Sequence, residues 1–357
     1  MQDKSINSET ILLYQNPNIK LGFHISKMPK LSESFIRMLN VPLSSYQIYL
    51  SSGRAWEQPK IDSTELIKTR HILNRCNKYS CVHGCLLYNL AGSVNYRDDP
   101  LFQKKLNGTY VGLMAELDIA ATIDSGVVVH IGSCKYKDKG IETIVKTIEA
   151  VISDDNSYTK QLSKGVSMSV EEIKSKRKII LENSAGEGNK IGSNLDEIAK
   201  IIKNVKKDVR DRVKVCIDTA HIFGAGQYDL GKGQEVERFF NDFDSKIGIE
   251  KLELFHLNDS RVQFKSKKDR HENLGLGYMF GEVRDDGCNG LDGLKTFIEY
   301  AEKYSIPLIG EPPAKDKDGG DGAGELWDYY IVKNLVNLEE EIPLSSGCKK
   351  DGFVCNC

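Results

Sequence analysis

No apolar run in this sequence approaches the ~18–20 residues that a membrane-spanning helix requires, so a membrane partner of that kind is not expected. The first residues, MQDKSINSET, lack the apolar core of a signal peptide. The expectation is an intracellular, non-secreted protein, with cytoplasm, nucleus and virion all open. Basic charge is not in surplus either: the formal net charge is −2. A global basic field therefore cannot attract a polyanion, and any such binding must rest on local cations and metal ions. The nine cysteines are odd in number and mostly scattered, which argues against a secreted disulfide framework. No internal repeat is visible. Histidine is scarce, with seven in the chain, and where those seven fall becomes the main clue.

Hydrophobic residues at 40% and charged residues at 28% suit a soluble globular protein with a substantial core. A length of 357 residues fits one large barrel or two ordinary domains. Residues 1–18 read as a polar arm. Short strand-like runs then recur: Ile19–Ser26, Tyr46–Leu50, Tyr79–His83, Gly126–His130, Lys178–Glu182, Val213–Asp218, Lys251–His256 and Ile306–Glu311. Between them, Leu31–Leu39, Ser63–Asn74, Leu113–Ile123, Ile141–Ile152, Asn194–Val205 and Leu291–Tyr304 carry apolar residues at helical spacing, with Ser63 and Asn194 as N-caps. Eight strands alternating with helices favour a closed (β/α)8 TIM barrel over an open doubly wound sheet. The barrel domain is expected over residues 19–343. Residues 153–176 form a polar insertion, 314–324 a flexible loop, and 344–357 a tail with Cys348, Cys355 and Cys357, whose spacing matches no standard zinc motif, so free thiols are expected there.

In such a barrel the chemistry sits at the C-terminal ends of the strands. The residues there are His83, His130, Glu182, Asp218, His256 and Glu311. His221 follows three residues after Asp218, and Asp269 and His271 alternate on an extended loop after the seventh strand. Each alone reads equally as a hydrogen-bonded core residue. Nine nitrogen and oxygen donors on one face, however, would be costly without cations, because packed carboxylates repel and resist desolvation. Imidazole with carboxylate suits zinc, with manganese or iron as alternatives. Nine donors exceed one tetrahedral ion and suit a cluster of two or three ions bridged by a carboxylate.

The segments VHGCLLYNLAG, LENSAGEG, CIDTAHIFGAGQYD, FHLNDS, DRHENLGLG and IGEPP occur in this order between about Lys20 and Trp327. Together they resemble the signature segments of the endonuclease IV family of apurinic/apyrimidinic (AP) endonucleases. The resemblance implies a three-zinc DNA-repair hydrolase that cuts duplex DNA 5′ to an abasic site, using a metal-activated hydroxide and leaving a 3′-hydroxyl and a 5′-deoxyribose phosphate. By motif it implies that His83 and His130 hold one zinc and that Asp218, His256 and Glu311 hold a second. Glu182 bridges these two, and His221, Asp269 and His271 hold the third. It also places Arg54 against DNA. Lys135, Lys137, Lys139, Arg261 and Lys265, with Lys267, Lys268 and Arg270, are candidates for the phosphate footprint. His24 is given no metal role, and His71 is expected to be exposed on a helix. A monomer is expected.

One position departs from the family pattern. An aromatic wedge is usual three residues after the first ligand histidine, and here that residue is Leu86. Leucine can still part base steps, and Tyr88 nearby is a possible substitute. The competing reading is a xylose-isomerase-like sugar isomerase or epimerase with one or two divalent ions. That chemistry has no use for His83, His130, His221, Asp269 and His271 together. A metal-stiffened barrel that binds abasic DNA without cutting it is the non-enzymatic alternative.

Overall fold

Eight short parallel strands, each running toward the same rim, close on themselves. A computed structural model describes residues 19–39, 41, 43–54, 58–92, 100–313 and 323–336. The arm 1–18, nearly all of the 314–324 loop and the tail 344–357 lie outside the described residues. In chain order the elements are β1 (Leu21–Ile25), α1 (Leu31–Ile36), β2 (Ser45–Ile48), α2 (Ser63–Cys76), β3 (Tyr79–His83), α3 (Pro100–Thr122), β4 (Gly126–His130), α4 (Lys137–Ser153), α5 (Ser157–Val166), α6 (Val170–Lys176) and β5 (Ile179–Glu182). They continue with α7 (Leu195–Asn204), α8 (Lys207–Arg210), β6 (Val213–Asp218), α9 (Thr219–Ala225), α10 (Gly233–Lys246), β7 (Leu252–His256), β8 (Asp259–Ser260), β9 (His271–Glu272), α11 (Gly290–Lys303), β10 (Leu308–Gly310) and α12 (Ala323–Val336). The barrel order is β1-β10-β7-β6-β5-β4-β3-β2, and β8 and β9 form a separate antiparallel pair.

Side chains two apart on a strand share a face. Cys81, Val128, Ile180, Cys216, Leu254 and Ile309 each lie two residues before a proposed ligand, and they form one small buried cluster. It is the barrel's inner floor, so His83, His130, Glu182, Asp218, His256 and Glu311 make the next layer up, at the rim. Strand register aligns that layer: His130 pairs with Glu182, and Asp218 with His256.

Several expectations change in detail. Asp62, not Ser63, caps α2, because its carboxylate accepts the Thr64 N–H at 2.8 Å. Asn194 caps α7 as expected, accepting from Glu197 N–H. The helix expected from Leu113 starts at Pro100. Helices α9, α10 and α12 were not expected at all. The polar 153–176 stretch folds as α5 and α6, each opened by a capping box, at Asn156 and Ser169. Their buried residues Leu162, Val166 and Ile173 seat them on the barrel. Arg177 locks this unit in place. It pairs with Asp118 of α3 at 2.7 Å and donates to the Val151 and Ile152 carbonyls and the Thr159 hydroxyl, all buried, and to the Asp154 carbonyl at the surface.

Candidate metal centre

Glu182 ends β5 at the middle of the rim. Its Oε2 lies 3.5 Å from His83 Nε2 and 3.4 Å from His130 Nδ1, and its Oε1 lies 3.2 Å from His256 Nδ1. The carboxylate thus faces two imidazole groups with its two oxygens. His256 Nδ1 also meets Glu311 Oε2 at 3.3 Å and Asp218 Oδ2 at 3.9 Å. Asp218 Oδ2 in turn lies 3.4 Å from His271 Nε2. Asp269 spans the remaining pair, with Oδ2 3.0 Å from His221 Nε2 and Oδ1 3.3 Å from His271 Nε2.

Three overlapping groups have donor atoms within 4.8 Å of one another: His83, His130 and Glu182; Glu182, Asp218 and His256; Asp218, His221 and His271. All nine residues expected at the centre are brought together. The grouping adds one feature the motifs did not give, since Asp218 belongs to two groups, as Glu182 does. Glu182 Oε2, His221 Nε2 and His271 Nε2 are buried and, among the described residues, meet no partner outside the donor set. Buried donor atoms that face only one another are what cations between them would satisfy. The donor set therefore fits divalent metal ions.

Local folding sets which ring nitrogen faces inward. His83 Nδ1 donates to the Gly84 carbonyl at 2.8 Å, His221 Nδ1 to Asn183 O at 3.0 Å and His271 Nδ1 to Glu311 O at 3.2 Å. Each bond fixes the proton on the outer nitrogen and leaves Nε2 as a ligand atom. Two asparagines fix the carboxylates. Asn258 Nδ2 donates to Asp218 Oδ2 at 2.8 Å while its Oδ1 accepts Glu311 N–H, and Asn183 Oδ1 accepts Asp218 N–H. Glu187 accepts the Asp269 N–H at 3.0 Å. None of the three was singled out from sequence, although Asn183 and Glu187 lie in LENSAGEG and Asn258 in FHLNDS.

Burial opposes charge on Glu182, but His130 and His256 outweigh it and hold the carboxyl well below its usual range. Glu311 behaves alike, with His256 overriding burial. Burial likewise works against Asp269, where bonds to His221 and His271 prevail and lower it strongly. Conversely, burial lowers His221 and His271, yet Asp218 and Asp269 win and raise them to about 10 and about 9. Without a cation, protons on these rings balance the carboxylates. A metal would have to displace them.

Around the rim, Leu86 is 40% exposed and its N–H donates to Gly53 O at 2.8 Å, so it sits beside the turn carrying exposed Arg54. Tyr88 cannot stand in for Leu86: it is buried, with its hydroxyl bonded to Glu116. Lys267, Lys268 and Arg270 are exposed on the loop that carries Asp269. That loop is fixed to the end of α9 by Lys265 N–H to Phe223 O and Lys267 N–H to Gly224 O. Two other footprint candidates are already engaged, Lys137 with Glu197 and Arg261 with Glu272. His71 is exposed on α2, as expected.

The model of the xylose isomerase-like TIM barrel family matches residues 110–290. The putative endonuclease 4 of Acanthamoeba polyphaga mimivirus is 30% identical over 311 residues, covering 85% of this chain and 88% of that protein. The probable endonuclease 4 of Halothermothrix orenii is 31% identical, covering 84% and 96%. The chain belongs to the endonuclease IV family. The crystal structure of endonuclease IV from Thermus thermophilus superposes with a TM-score of 0.66 at 22% identity, over 89% of this chain and 98% of that one. At that identity the superposition shows the shared barrel. Among the described residues no helix of this endonuclease IV homologue is long and apolar enough to cross a membrane.

Proposed function

We propose that this chain is a zinc-dependent AP endonuclease of base excision repair. It hydrolyses the phosphodiester 5′ to an abasic site in duplex DNA and leaves a 3′-hydroxyl and a 5′-deoxyribose phosphate. The observation that carries the reading is the run of three donor groups linked by the shared carboxylates Glu182 and Asp218. Three groups call for three ions, and imidazole with carboxylate favours zinc. His83 and His130 are assigned to the first ion. Asp218, His256 and Glu311 are assigned to the second, with Glu182 between the two. His221, Asp269 and His271 are assigned to the third. Bound there, such ions supply Lewis acidity, which neutralises the scissile phosphate and makes water a usable nucleophile at neutral pH.

The chain's own residues do the rest. Glu182 keeps two neighbouring sites at a fixed spacing, and Asn258 holds Asp218 and Glu311 in their ligating orientations. Leu86 and Arg54, joined at one rim, press on the duplex at the lesion, where an abasic nucleotide has lost its stacking and flips out easily. Lys267, Lys268 and Arg270 take backbone phosphates. Residues 19–343 act as one barrel unit inside the cell, and a single chain holds every donor, so a monomer suffices. A sugar isomerase would leave the His221, Asp269 and His271 group without a task.

A labelled abasic duplex tests the proposal. The expected result is incision 5′ to the lesion that stops with chelator and returns with zinc. Protein that carries its full metal complement yet leaves the duplex intact would refute it.

A further inference from the structure

β2, like β1, supplies no ligand to the rim. Its inward residue at that level is Gln47, fully buried and aligned with His24 of β1 and Cys81 of β3. A lone amide inside a barrel needs partners for two donors and two acceptor lone pairs. Gln47 finds all four. Its Nε2 donates to Glu311 Oε1 at 2.6 Å and to His24 Nδ1 at 3.0 Å. Its Oε1 meets His256 Nε2 at 2.9 Å and accepts from the Cys81 thiol at 3.5 Å.

Only one orientation of this amide is tenable. Turned over, its oxygen would sit 2.6 Å from a Glu311 carboxylate oxygen, two acceptors with no proton between them. With the orientation fixed, the oxygen faces His256 and can only accept. His256 therefore carries a proton on Nε2, which leaves Nδ1 toward Glu182, Glu311 and Asp218. The same amide occupies Glu311 Oε1 and turns Oε2 toward that nitrogen. The other three bonded rings at the centre are held by backbone carbonyls, whereas His256 depends on a side chain. His24 is also explained. Its Nδ1 is taken by the amide, so it stays outside the ligand set.

We propose that Gln47 is a positioning residue for the second metal site, setting at once the ligand nitrogen of His256 and the ligand oxygen of Glu311. The inference rests on the metal reading above. It predicts a site-selective effect, because His83, His130, His221, Asp269 and His271 make no contact with this amide in the hydrogen-bond network.

The test is zinc binding to the full chain, measured by competition with a chromophoric chelator, in wild type and in Gln47→Met, which keeps length and loses the hydrogen bonds. One of the binding steps should weaken by ~10–100-fold, the usual effect of removing a partner behind a ligand. The remaining steps should hold their wild-type values. Cobalt(II) loaded in place of zinc should show an altered absorption band for that step alone. If Gln47→Met does not fold, Gln47→Ala, which leaves room for water, is measured instead, with the same site-selective weakening expected. Wild-type affinities at every step, or uniform weakening that merely follows a lower melting temperature of the metal-free protein, would overturn the role. A wild-type chain that binds no metal would instead defeat the reading of the centre itself.

Discussion

At the residue scale, Glu182 shows how one charge supports two neighbours. Glu182→Gln keeps the volume and removes the charge, so incision should fall by orders of magnitude while abasic-duplex binding is largely kept, because the loss falls on the transition state. Single-turnover incision and affinity, read with metal content, decide this; near-normal turnover at full metal content would contradict it. Glu116 offers a different test. Burial, opposed by the Tyr88 hydroxyl and the Cys85 N–H, pushes its carboxyl from 4.5 up to about 8. The folded value exceeds the unfolded one, so this group's contribution to stability is complete below pH 4.5 and is lost as pH rises through 8. Glu116→Gln should flatten that part of the profile, so the mutant's melting temperature gains on wild type between pH 4.5 and about 8. Parallel profiles across the window would show the shift to be wrong. The strand-end histidines and carboxylates were legible because a charged residue closing an apolar strand has few other places to go. Gln47 and Glu116 were not, since an uncharged amide in YQIYL and an acid two residues from Asp118 in the mostly apolar LMAELDIAAT carry no spacing signal. That Asp218 faces two donor groups depends on neighbours across the barrel, which no local run of sequence reveals.

Elements fix where these residues point. The Arg177–Asp118 pair ties α3, α4 and α5 into one block. Breaking a buried pair from one side leaves an uncompensated charge, so Arg177→Leu should cost roughly 3–5 kcal/mol in denaturant unfolding. A loss under ~1 kcal/mol, typical of exposed pairs, would mean that water reaches the site. The loop after β3 gives a second prediction. Since Leu86 is exposed, Leu86→Tyr should tighten abasic-duplex binding and Leu86→Gly weaken it, with single-turnover cleavage at saturation little changed. Should both variants lose thermal stability while affinity stays at wild type, Leu86 would be a packing residue. The strands and most barrel helices could be read from period alone. The α5–α6 unit could not, because its caps, Asn156 and Ser169, lie among so many polar residues that the short apolar faces of Leu162, Val166 and Ile173 are diluted. The N-cap of α2 was misplaced by one residue because Asp62 and Ser63 are both good caps and only the hydrogen bond to Thr64 decides between them.

Across the whole molecule, a net charge of −2 leaves DNA binding to local cations. Replacing Lys267, Lys268 and Arg270 with neutral residues should weaken binding to all sequences and flatten the dependence of log K on log salt by roughly 0.9 per lost phosphate contact. Arg270 lies between Asp269 and His271, so metal content has to be measured alongside; an unchanged slope at full metal content would place the footprint elsewhere. The closure of the barrel has a consequence in time. β10 is inserted between β1 and β7, and Glu311 follows it directly. While the protein is being made, the first and seventh strands remain two open edges until the eighth leaves the ribosome. A nascent chain stalled before residue 311 therefore has His256 without Glu311 across from it and Gln47 without the carboxylate it steers. However much metal is present, the second site as proposed here can be completed only after nearly the whole barrel has been synthesised, so metal loading there would report that the barrel has shut.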